Sequence, residues 1–187
     1  MIRRMVVKTA LALVPLLLLA VGFPSAAEKK SSGSAQDEQA GEERFWFENW
    51  DDAVFSAKQE HKPMVVNIYS PACGPCRFMD ENVFPSPEIH ERLARDWVFV
   101  KMNAFDRERT ASYDNKTMTY AELTLYFRVH GFPTCLFFDR AGNPNQRVIG
   151  SMEKEDFALI LDYMRDEVYA SGMTFRDYQK KKAKPGK

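Results

Sequence analysis

The sequence predicts an α/β protein, a central mixed β-sheet flanked by helices on both faces. Three observations predict it. Residues 64–70, 97–103 and 133–139 are short, nearly continuous apolar runs, as strands buried on both faces are. Segments of helical period separate them. After the third run, a turn at 140–145, a short run at 146–150 and a strongly amphipathic stretch follow. The expected order is β, α, β, α, β, α, β, β, α.

Each element has its own justification. "FWFENW" (45–50) holds a short strand. Residues 51–62 begin acidic at Asp51 and Asp52, end basic and stop at Pro63, which reads as a helix. "MVVNIYS" is the first buried strand. Beyond it Phe78, Met79 and Val83 recur at helical spacing. The pattern breaks at Pro85 and restarts with Ser86 as cap, Pro87 in the first turn and Glu88 at the positive end. "WVFVKMN" is the second buried strand. Residues 104–118 are a polar surface insertion, read as a small hairpin turning at Asp114. Thr119 and Glu122 form a capping box for a helix through Arg128. "PTCLFFD" is the third buried strand, and 146–150 an antiparallel edge strand. Residues 153–168 place Phe157, Ile160, Leu161 and Met164 on one helical face. A further short helix starts at Thr174.

The organisation follows from composition. The 187 residues suit one domain, and a formal net charge of zero gives no electrostatic basis for a nucleic-acid partner. Residues 1–27 read as an export signal: Arg3, Arg4 and Lys8, then a short apolar core, then Ser25 and Ala27 at a cleavage site. The core is shorter than a membrane span, which takes about 20 apolar residues, and contains Pro15. An uncleaved anchor and a twin-arginine signal are the alternatives. Residues 28–44 carry no apolar side chain larger than alanine and read as a disordered linker. The folded domain is placed at 45–170, and a C-terminal helix with a basic tail at 171–187. Removal of 1–27 leaves a net charge of −3.

The chemistry gathers at "CGPC". The three cysteines, Cys73, Cys76 and Cys135, are too few for a disulfide scaffold. Cys73 ends a buried strand and begins a helix. The helix dipole and free backbone N–H groups there favour a thiolate, lowering the thiol from about 8.5 towards about 7. Cys76 lies one turn later, further inside. Gly74 lets a partner backbone approach, and Pro75 fits a first turn, where its missing N–H is not needed. The pair suits thiol–disulfide exchange: Cys73 attacks a substrate disulfide, and Cys76 then resolves the mixed disulfide. With little stabilisation of Cys73 beyond the helix end, the couple is expected to be reducing.

With these residues, "KMN" at 101–103, "GFPT" at 131–134, Gly142 and Gly150, the chain resembles the thioredoxins over about residues 50–164. The restart "VFPSPEI", the insertion and the export signal resemble the secreted, periplasmic thioredoxin-like proteins, of the SoxW type and similar to the DsbD C-terminal domain. The resemblance implies the thioredoxin fold and a cis Phe132–Pro133 bond facing the cysteines. Phe132, Pro133 and Thr134 would then bind an extended substrate segment; Phe132 either contacts substrate or packs beside it. It also implies a buried proton-transfer position at Asn67, with Lys101 as partner. Two departures stand out. Thioredoxins carry a buried Asp six residues before the first cysteine, where this chain has Asn67, which cannot titrate. Proton removal from Cys76 then falls to water or the departing thiolate, and Lys101 lacks that carboxylate. Ala72 replaces the usual Trp and opens one rim of the site.

Rival readings are weaker. A structural Cys73–Cys76 bond closes too small a loop to stabilise much. Zinc wants four N/S ligands, and there is no second C-x-x-C. His61 and His90 read as surface residues; His130 either perturbs Cys73 or is a bystander. Cys135 fills core space or takes a third redox or ligand role. No cofactor and no metal is expected. The reading is an exported, periplasmic, monomeric reductase of protein or small-molecule disulfides. It would be recharged by a membrane electron donor such as a DsbD/CcdA-like protein. The alternatives are a thiol–disulfide oxidase or isomerase, and a carrier of sulfur compounds, copper or apocytochrome.

Overall fold

In the computed structural model, residues 45–183 are described. The predicted export signal, the linker at 28–44 and the last four residues of the basic tail lie outside the described residues.

A four-stranded sheet organises the chain in the order β2-β1-β5-β6, from β1 (Met64–Tyr69), β2 (Val98–Asn103), β5 (Thr134–Phe138) and β6 (Pro144–Ile149). β1 and β2 run parallel, with Asn67 opposite Lys101; β5 is antiparallel to β1, with Asn67 also opposite Cys135. β6 is antiparallel to β5 at the border. The "FWFENW" strand shrinks to one bridge, Phe47 to Val100 on the outer side of β2. The mixed sheet that the apolar runs predict is the one found.

Alternate side chains of each strand enter different cores. Val65, Phe99, Cys135 and Phe137 face α3 (Pro87–Asp96) and α5 (Lys154–Arg165), with Ile89, Leu93, Phe157 and Leu161 buried there. Val66, Ile68, Val100, Leu136 and Phe138 face α1 (Trp50–Glu60) and α4 (Tyr120–Tyr126), anchored by the fully buried Trp50. The continuous apolar runs arise from this two-sided burial. α6 (Phe175–Ala183) begins one residue past the predicted start, and Tyr178 packs on Tyr163.

The insertion forms the expected hairpin, β3 (Thr110–Tyr113) and β4 (Lys116–Thr119), with Asp114 and Asn115 both left-handed in the turn. It is clamped to α1: the Asp51 carboxylate accepts from the Ser112 N–H at 2.9 Å, and Trp50 Nε1 donates to Ser112 O at 3.2 Å. Four further expectations change. Ser86 stands before α3, but its hydroxyl donates to Val83 O at 2.7 Å and makes no side-chain cap. The helix after the cysteines is a short α2 (Gly74–Phe78) continued by a π-helical turn (Met79–Val83), closed by Phe84 N–H to Met79 O at 2.9 Å. α4 stops at Tyr126 and α5 at Arg165, because Arg128 and Glu167 adopt left-handed φ values of 52° and 51°.

The capping box is present in full. Thr119 Oγ1 accepts from Glu122 N–H at 3.2 Å, and Glu122 Oε2 accepts from Thr119 N–H at 2.8 Å. Thr119→Ala is expected to lower stability by about 1 kcal/mol. The check is the denaturant midpoint at an unchanged m-value.

Candidate active site

The strand end and the helix start set the geometry of the cysteine pair. β1 finishes at Tyr69, and Cys73 N–H turns back to Ser70 O at 3.2 Å. Cys73 is the N-cap of α2, with extended backbone (φ −103°, ψ 111°), and its sulfur accepts the Cys76 N–H at 3.1 Å. Ser, Thr and Asp do this at ordinary helix starts; here a sulfur does. Pro75 occupies the first turn. The sulfurs are bonded at 2.15 Å, so the structure holds the oxidised pair. Cys73 is partly exposed between exposed Ala72 and Gly74, whereas Cys76 is only 4% exposed. A second thiol can therefore reach Cys73 far more readily than Cys76.

The "GFPT" residues come to the same end of the sheet. Thr134 pairs with Ile68 near the end of β1, so Pro133 and Phe132 lie beside the strand terminus that leads to Cys73. The Phe132–Pro133 peptide is cis. Pro133 O accepts from Gly150 N–H at 2.8 Å, and Thr134 Oγ1 donates to Gly131 O at 2.7 Å. Phe132 is half-buried, while Pro133 and Thr134 are buried.

Asn67 and Lys101 follow different fates. Asn67 is 2% exposed, and its Nδ2 donates to Cys135 Sγ at 3.5 Å. Lys101 gains a carboxylate that sequence reasoning did not assign to it: its Nζ lies 2.6 Å from Asp80 Oδ1. The rings of Trp46, Tyr69 and Phe84 surround the same ammonium at 5.0, 5.6 and 6.0 Å. The available signal was weak: an acidic residue four after Cys76, on a helix that only the fold turns towards β2. His130 is exposed next to Gly131, and the His90 ring packs edge-on against Phe45 at 4.3 Å. Among the described residues no group of three or more His, Cys, Asp or Glu side chains is disposed to hold a metal ion.

The sequence profile of the thioredoxin-like domain family matches residues 50–165. The chain belongs to that family. Among curated proteins it is similar to the thiol:disulfide interchange protein DsbD of Colwellia psychrerythraea, 30% identical over 111 residues, covering 58% of this chain and 17% of that protein. The DsbD of Escherichia coli K12 is 32% identical over 104 residues, 54% of this chain and 16% of the relative. The chain thus spans about a sixth of the length of these relatives. A thioredoxin-fold protein of Helicobacter pylori superposes with a TM-score of 0.54 at 19% identity, over 65% of this chain and 80% of its own. A thioredoxin of Thermus thermophilus gives 0.55 at 21%, over 68% and 92%. At these identities the two structures show the thioredoxin fold. A Cys-x-x-Cys pair at bonding distance in this family supports a thiol–disulfide oxidoreductase in general terms.

Burial pushes the Cys135 thiol up to about 11, against which the Asn67 hydrogen bond acts in the lowering direction. The fold therefore holds this proton more tightly than the unfolded chain, whose thiol titrates near about 8.5. The associated stability is complete below about 8.5 and is lost as pH rises through about 11. Cys135→Ala is expected to remove that alkaline slope in denaturation midpoints. At pH 8, Cys135 of the native, reduced protein is expected to resist iodoacetamide until denaturant is added, as read by peptide mass.

Proposed function

We propose that this protein is an exported thiol–disulfide oxidoreductase working as a protein-disulfide reductase. The observation that carries the reading is the asymmetry of the pair: Cys73 accessible at a helix N-cap, Cys76 buried behind it. Cys73 thiolate attacks one substrate sulfur, forming a mixed disulfide and expelling the other substrate sulfur as thiolate. Cys76 thiolate then attacks Cys73 Sγ, which closes the Cys73–Cys76 bond and releases the second substrate thiolate. Two electrons pass from the protein dithiol to the substrate disulfide. Phe132, Pro133 and Thr134 would hold the substrate segment, and Gly74 and Pro75 would line its approach.

The return half-reaction needs a dithiol donor. The DsbD relatives and the predicted export signal favour a membrane electron donor such as a DsbD/CcdA-like protein, with the periplasm as the site of action. Among the described residues no helix is long and apolar enough to cross a membrane. We further propose that Asn67 leaves proton removal from Cys76 to water or the departing thiolate. In this reading Lys101 is engaged with Asp80 and takes no part with residue 67.

Insulin reduction in the presence of dithiothreitol is expected to be fast and to fall to background in Cys73→Ser. A Cys76→Ser variant should accumulate a mixed disulfide with substrate. Stoichiometric adducts without turnover would instead identify a carrier, and a reduction potential well above about −270 mV would identify an oxidase. Asn67→Asp is expected to add an ionisation to the pH profile of the release step, measured by single-turnover alkylation. An unchanged profile would overturn the account of that position.

A further inference from the structure

Two large apolar side chains stand in solvent on either side of the Phe132–Pro133 segment. Phe105 is 62% exposed, and its ring meets Phe132 edge-on at 5.7 Å. Ile149 is 63% exposed on the other side, its Cγ2 3.0 Å from where a Cβ on Gly131 would sit. All three belong to one end of the sheet. Phe105 follows the end of β2, Phe132 precedes β5, and Ile149 ends β6. This is the end at which β1 leads to Cys73.

Phe105 is held in place. Its own N–H donates to Asn103 Oδ1 at 3.0 Å, and Asp106 N–H donates to Asn103 O at 3.2 Å. The Asp106 carboxylate accepts from Glu108 N–H, Arg109 N–H and Arg109 Nε at 2.8, 2.9 and 2.7 Å. Ala104 N–H donates to Tyr69 O at 2.9 Å, which ties the start of this loop to the strand that runs into the cysteines. An exposed phenyl on a fixed loop loses little freedom when something covers it, which suits a contact anchor. The strands that carry these residues, β2 to β6, are three interstrand spacings apart, about 14 Å at the backbone, the reach of about four extended residues. A small disulfide cannot span that distance; a polypeptide can.

We propose that Phe105 is a specificity-determining residue. With Phe132 and Ile149 it favours disulfides carried in extended polypeptide with a bulky apolar residue near the attacked cysteine, over small soluble disulfides. The proposal rests on the thiol–disulfide reading of Cys73 and Cys76, and the exchange step is the one written above. It also gives the first residues of the 104–118 insertion a task.

The test uses pre-reduced protein and two substrates: a disulfide-linked peptide with Leu and Phe flanking its cysteine, and hydroxyethyl disulfide. Rate constants are read by acid quench and alkylation. Phe105→Ser is expected to reduce the peptide-to-small-disulfide rate ratio about tenfold, and Phe105→Leu to restore most of it. An unchanged ratio in Phe105→Ser, with both substrates reduced by the unsubstituted protein, overturns the role of Phe105 alone. Failure of the unsubstituted protein to reduce either substrate overturns the thiol–disulfide reading and this proposal together.

Discussion

The site depends on one hydrogen bond: the backbone N–H of Cys76 donated to the sulfur of Cys73. It makes a cysteine the cap of a helix, so one of the first-turn donors of α2 is taken by sulfur. The same turn forces the two side chains apart in exposure, one towards solvent and one into the protein. The conformation needs a strand that ends abruptly, a proline tolerant of the first turn, and a helix that begins at once. The sequence "YSPACGPC" supplies all three.

The rest of the fold holds that junction still. β1 is central, bonded to β2 on one side and β5 on the other, with both faces covered by helices. A one-residue slip of such a strand would exchange Val65 with Val66 and Ile68 between two differently filled cores, so its C-terminal end is a fixed point. The antiparallel β5 brings Pro133 to that point from the opposite chain direction. Sheet topology alone thus gathers residues that lie far apart in the chain.

Local physics made much of this legible in the sequence. The apolar runs marked the buried strands, Thr119 and Glu122 marked a helix start, and the left-handed Asp114–Asn115 turn was signalled by its residue types. What escaped was set by tertiary contact. Whether Asp80 reaches Lys101 depends on the π-helical turn that follows α2, and i→i−5 bonding leaves no trace in apolar spacing. Ser86 carries the composition of a cap, yet its hydroxyl found a nearer acceptor in Val83 O. The ring contact between Phe105 and Phe132 joins residues on neighbouring loops with no shared periodicity.

The sheet has two borders; the one beside β2 is occupied and the one along β6 is blunted. Beside β2 the segment at Phe47 donates to Phe99 O and accepts from Lys101 N–H, using groups that a second chain would otherwise pair with. Along β6, Pro144 offers no N–H, and a register shift at Phe137/Phe138 breaks the ladder's regularity. Arg147 is drawn back onto the carbonyls of Phe127 and Arg128. Among the described residues, the borders of this sheet are therefore poor templates for strand-by-strand growth of copies into fibrous aggregates.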